Sequence, residues 1–116
     1  MQNHKQYKTL LKERDIIQIE GKEKFEFLQG LITNNIYTLS EKKVIYAALL
    51  TPQGKYLFDF ILFLKGNDKD KIFLDCERKR SAELMNLFNM YKLRKKISIS
   101  RVKKAKVYVV FGKLTP

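Results

Sequence analysis

The sequence predicts an α+β domain: a largely antiparallel sheet with two helices packed on one face, in the order β-α-β-β-β-α-β-β. Three observations predict it. Two segments carry apolar residues at helical spacing. Several others are short aromatic or β-branched runs closed by turn residues. Between two of those runs, "TPQG" at residues 51–54 has the composition of a hairpin turn.

Residues 1–13 read as a polar N-terminal segment, and residues 14–116 as the domain. Arg14–Glu20 is a short strand ending at Gly21. From Lys22, Phe25, Leu28 and Ile32 recur at i, i+3 and i+7, with Phe27 and Leu31 widening the stripe, so a helix is expected. Thr33-Asn34-Asn35 ends it, because these side chains compete for backbone hydrogen bonds. A polar connection follows through Ser40-Glu41-Lys42-Lys43. Val44–Thr51 and Lys55–Leu64 are strands, and proline at the second and glycine at the fourth position between them favour a type I turn. Lys65–Asp70 is a second polar turn, and Lys71–Asp75 a third strand. Arg78–Tyr91 reads as a helix with Leu84, Leu87, Phe88 and Tyr91 on one face. Ile97–Val102 and Lys106–Phe111 complete the strands, and no helix follows to cover a sheet edge.

Bulk properties narrow the function. With 116 residues, 45% of them hydrophobic, the chain is one domain or part of one, with enough apolar material for a core. The formal charge of +12 attracts polyanions without saying anything about fold. One cysteine, Cys76, and one histidine, His4, exclude an internal disulfide framework and a clustered Cys/His metal site. No apolar run approaches membrane-spanning length, and the first fifteen residues lack a secretory h-region. The expected compartment is the cytoplasm or an equivalent reducing one.

The chemistry centres on Asp59 in "YLFDFILFL", residues 56–64. Leu57, Ile61 and Phe63 flank it on one face, with Phe58, Phe60 and Leu62 on the other, as in a strand buried on both sides. A carboxylate there needs a partner. That partner is either internal, such as a backbone amide or a lysine, or a ligand at a cavity wall. If Pro52 and Gln53 are the two loop residues, Tyr46 falls opposite Asp59; a bulge at Gly54 moves the register by one and separates the pair.

The basic clusters Arg78-Lys79-Arg80, Lys92 with Arg94-Lys95-Lys96, and Arg101-Lys103-Lys104-Lys106 read as solvated surface, with phosphate or acidic-partner binding as the alternative. Phe25, Phe27, Phe88 and Tyr91 have core spacing. Cys76 reads as a small buried residue.

"FEFLQGLITNNI", "YAALLTPQGKYLFDFILF" and "MYKLRKKISI" resemble, in order and spacing, the N-terminal half of the YgfZ-type folate-binding proteins. These are relatives of the glycine cleavage aminomethyltransferase (T-protein), and their mitochondrial counterparts serve iron–sulfur cluster assembly. The resemblance implies a T-protein-like folate-binding fold with tetrahydrofolate as cofactor and no bound metal. It implies Asp59 and Tyr46 as pocket residues, Phe63 along the same face, and Asn34 of the "TN" motif at the rim. No catalytic residue is assigned, because the aminomethyltransferase-like fold lacks evident catalytic machinery here. Iron–sulfur proteins or assembly factors are the implied partners, in the cytoplasm or, in a eukaryote, the mitochondrial matrix. The family usually continues Thr-Asn-Asp where this chain has Thr33-Asn34-Asn35. Its C-terminal cysteine segment lies outside these 116 residues, so the C-terminal part of the fold is expected to be absent and the chain truncated. The alternatives are a basic nucleic-acid-binding module, with nucleic acid otherwise bound only non-specifically, and a truncated interaction fragment.

Overall fold

The computed structural model describes residues 3–103 and 107–115, with side chains for 12–103 and Val107. Five strands form one antiparallel sheet in the order β3-β4-β5-β2-β6: β2 is Arg14–Glu20, β3 Val44–Leu50, β4 Tyr56–Lys65, β5 Asp68–Glu77 and β6 Ser98–Arg101. Helices α1 (Lys24–Gln29), α2 (Leu39–Lys42) and α3 (Arg78–Lys92) bury their apolar residues against one face. There Ile17 and Ile19 of β2, Phe58, Phe60 and Leu62 of β4, and Ile72 and Leu74 of β5 meet Phe27, Leu28, Leu39, Leu84 and Phe88. Phe88 stands edge-on to both Phe27 and Phe60, at centroid distances of 5.8 and 6.2 Å.

The α+β architecture and the antiparallel sheet are as the sequence predicts; several details are not. The helix from Lys22 stops at Gln29, because the next residues pair with the free edge of β3. Ile32 bridges to Leu49, Thr33 N–H donates to the Ala48 carbonyl, and Ala48 N–H donates to Thr33 Oγ1. The polar connection after it carries a 3-10 turn, Ile36–Thr38, and α2. Its Ile36 and Leu39 are fully buried, an i, i+3 pair too short to register as a stripe. The Asn35 side chain caps that turn by accepting from Tyr37 N–H, and Gln29 Oε1 accepts from Ile36 N–H. Tyr91, expected in the core, is exposed, and Phe25 is only half-buried.

Residues Asn3–Leu11 form a strand, β1, where a polar segment was expected. It pairs antiparallel with β7, Val107–Thr115, from Asn3↔Thr115 to Leu11↔Val107. His4 falls on β1, and its side chain lies outside the described residues, as do Lys104 and Lys106.

Candidate functional site

The β3–β4 hairpin sets the site. Gly54 N–H donates to the Thr51 carbonyl at 2.8 Å, closing the turn, and Gly54 then takes φ = +82°, which favours glycine. This makes Gly54 a bulge and moves the register by one. A second irregularity, beside Leu49 and Leu50, moves it by one more. Two single shifts sum to one full period of the pleat, so Tyr46 returns to the face of Asp59, one pair further along. Tyr46 stands opposite Ile61, and Asp59 opposite Ala48. The direct pairing expected from a two-residue loop does not occur.

The strand is not buried on both sides. Phe58, Phe60, Leu62 and Leu64 are buried against the helices, whereas Leu57, Asp59, Ile61 and Phe63 lie on an open face. Asp59 is half-buried and is held by two phenols. Tyr46 donates to Oδ2 at 2.6 Å and Tyr56 to Oδ1 at 2.9 Å. The hydrogen bond from Tyr46, then that from Tyr56, holds the Asp59 carboxyl below its ordinary range, against a smaller opposing effect of burial. Bonding to Asp59 pushes both phenols above the usual tyrosine value.

Across the open face, Tyr46, Ile61, Asp75 and Ile16 form one row through β3, β4, β5 and β2. The β4–β5 ladder ends at Ile61↔Asp75, where β5 leads into α3. A groove of about 360 Å³ opens at this point, lined by Arg14, Tyr46, Asp59, Ile61 and Asp75. Arg14 Nε pairs with Asp75 Oδ1 at 2.8 Å, and a terminal guanidinium nitrogen donates to the Asp75 carbonyl. Past the ladder's end, the Leu57 carbonyl is met by the Arg80 guanidinium, which also lies 3.9 Å over the Phe58 ring.

Of the sequence-predicted residues, Tyr46 and Asp59 come into direct contact. Phe63 is on the same face in the next row, stacked on Phe73 at 5.4 Å, and does not line the groove. Asn34 spends its amide on the strand edge, with Nδ2 donating to the Tyr46 carbonyl and Oδ1 accepting from Asn35 N–H. It braces Tyr46 from behind. Tyr56, Arg14 and Asp75 were missed. Tyr56 lies three residues before Asp59, an odd spacing that a regular strand sends to the opposite face, and the irregular hairpin brings it back. Cys76 is buried, and its thiol is pushed up to about 12, first by burial and then by Asp15. Among the described residues no group of three or more His, Cys, Asp or Glu side chains gathers as metal ligands would, and no helix is long and apolar enough to cross a membrane.

No family model matches the chain. Known proteins do resemble it. An iron–sulfur cluster assembly factor IBA57 homologue of Dictyostelium discoideum, named as mitochondrial, is 32% identical over 77% of this chain and 28% of its own length. The Neurospora crassa homologue is 30% identical over 78% of this chain and 22% of its own. The human IBA57 protein is 24% identical, covering 84% of this chain and 30% of its own. The chain thus spans only about a quarter of the curated relatives it matches. Among solved structures, the glycine cleavage system aminomethyltransferase T of Bartonella henselae superposes with a TM-score of 0.73 at 15% identity, over 84% of this chain and 27% of that one.

Proposed function

From a chain homologous to the IBA57 iron–sulfur cluster assembly factors and folded like aminomethyltransferase T, we propose a tetrahydrofolate-binding, non-catalytic module that serves iron–sulfur cluster assembly or repair. The observation that carries the proposal is the clamp of Tyr46 and Tyr56 on Asp59. Side chains on the open face are not needed to fill the core, yet two phenols converge there on one acid.

The groove suits the head of a reduced folate. Each Asp59 oxygen accepts one phenol and keeps capacity for another donor, so an amino group and a neighbouring ring N–H match the free lone pairs. Ile61 supplies an apolar floor. At about 360 Å³ the groove is near the lower end of the usual range of about 300–1,000 Å³ for ligand sites, which admits a bicyclic head rather than a whole folate. Affinity should therefore be weak.

The same geometry argues against proton transfer. Asp59 is a weaker base than an ordinary carboxylate, and Tyr46 and Tyr56 are weaker acids than ordinary phenols, so neither matches neutral pH. A cluster held by this chain would need several thiolates, and its one cysteine is buried. The module's contribution would thus be folate binding and contact with assembly partners, in the cytoplasm or the mitochondrial matrix.

Calorimetric titration with tetrahydrofolate tests this. Saturable binding is expected, with Asp59→Asn and the double change Tyr46→Phe, Tyr56→Phe each weakening it by about tenfold or more. Binding unaffected by Asp59→Asn would overturn the assignment.

A further inference from the structure

On the helical side of the sheet, away from Asp59, lies a larger groove of about 660 Å³ between α3 and β6. Its floor is Asp15, a carboxylate 6% exposed whose neighbours in the chain do not single it out. Ser81 donates to Asp15 Oδ2 at 2.7 Å, Arg101 Nε pairs with the same oxygen at 2.9 Å, and Arg78 Nε stands 3.9 Å from Oδ1. Asp15 thereby holds the Arg101 guanidinium in place, while Arg78 is held beside it by donating to the Arg14 carbonyl at 3.2 Å, and the side chains of Arg78 and Arg101 remain 47% and 52% exposed. Arg101 uses only Nε, and its terminal nitrogens have no partner among the described residues. Lys103 adds a third cation at the rim, and Met85, Ile99 and Val102 provide aliphatic walls. β6 is an edge strand of the sheet, at the end opposite β3.

We propose that this groove is a docking surface for an acidic, partly apolar segment of a partner protein. Three cations face one buried carboxylate, so the groove is complementary to negative charge. The guanidinium fork of Arg101 is already oriented for bidentate binding of a carboxylate, which spares the ordering cost of a free arginine. The aliphatic walls reward apolar side chains placed between the acids. A free phosphate gains nothing from those walls and meets the charge of Asp15 in the floor. Nucleic acid would want a stacking aromatic beside the cations, and none lines this groove. An extended segment can also lie along the edge of β6.

A fluorescein-labelled peptide of alternating glutamate and valine tests the proposal by anisotropy. A polyglutamate peptide, an alternating lysine–valine peptide and oligo(dT) of similar length serve as comparisons. Saturable binding of the glutamate–valine peptide is expected, tighter than polyglutamate and with none for the lysine version. Arg101→Gln should weaken it by about tenfold. Because Arg101→Gln also removes a partner of Asp15, Lys103→Glu provides an independent probe: exposed and uninvolved in the Asp15 contacts, it should leave the circular dichroism spectrum unchanged and still weaken the peptide. Equal binding of polyglutamate, tighter binding of oligo(dT), or indifference of the peptide to Lys103→Glu would each overturn the proposal.

Discussion

Two neutral phenols stabilise the charge of Asp59, without a cation in hydrogen-bonding contact, and this has a spectroscopic consequence. Tyr46 and Tyr56 have folded-state pKa values raised above the unfolded value of about 10, so their share of stability is complete below that pH and is lost as pH rises through the higher folded value. Phenolate absorbance should show Tyr46 and Tyr56 ionising late, and Asp59→Asn should shift both back toward the ordinary range. Asp59 behaves oppositely. Its lowered pKa means a contribution present above about pH 4 and lost as pH falls through the folded value. The group is half-exposed and screened, so Asp59→Asn should change neutral-pH stability by under about 1 kcal/mol while weakening folate binding. A loss of several kcal/mol in urea would make Asp59 a structural acid. Cys76 gives a second check: with its thiol near 12 it should react with a thiol reagent at pH 8 only after unfolding.

At the scale of elements, two contacts hold the ends of the sheet. Gly21, at the exit of β2, has φ = +114°, and a Cβ there would overlap the Lys96 carbonyl oxygen. Gly21→Ala should therefore destabilise by roughly 2–4 kcal/mol, a clash added to a backbone penalty, read as a lowered urea midpoint with unchanged slope. Arg80 explains a basic residue at the unfavourable end of α3: it satisfies the Leu57 carbonyl that the ladder leaves behind and covers Phe58. Arg80→Ala should cost about 1–3 kcal/mol. Much of this scale was legible. The α3 stripe and the turn at residues 51–54 follow from local chemistry, and so does the strand character of residues 56–64. The register of the hairpin was not, because the second irregularity, between Leu49 and Leu50, lies outside the turn and has no turn residue to signal it. Hence the pairing of Tyr46 failed while its contact with Asp59 held. The burial of Asp59 was misread for a related reason. Aromatic residues on both faces look like a strand covered twice, and here the second set, with Ile61 and Phe63, lines an open face. Asp15 left no sequence signal, since its partners come from residues 78, 81 and 101.

At the scale of the whole molecule, the charge of +12 makes nucleic acid the natural competitor of both proposed sites. Several described cations are already committed: Arg14 to Asp75, Arg80 to Leu57 and Glu83, Lys95 to Glu26, Arg101 to Asp15. The exposed aromatics Tyr46 and Tyr56 sit beside an acid, which repels phosphate. At that site the aromatics share their face with a carboxylate, whereas single-strand binding requires stacking and positive charge together. What remains is diffuse attraction to the backbone. Single-stranded DNA should bind with little regard to sequence, and log K should fall against log salt with a slope of about −2 to −3.5, as expected for roughly three to five phosphate contacts. Saturating tetrahydrofolate should leave that curve unchanged, because the Asp59 groove proposed for it carries a carboxylate that repels phosphate. Tight, sequence-selective binding at physiological salt, or competition between DNA and tetrahydrofolate, would show that the cations act together as a nucleic-acid site and would reverse the order of the two functions.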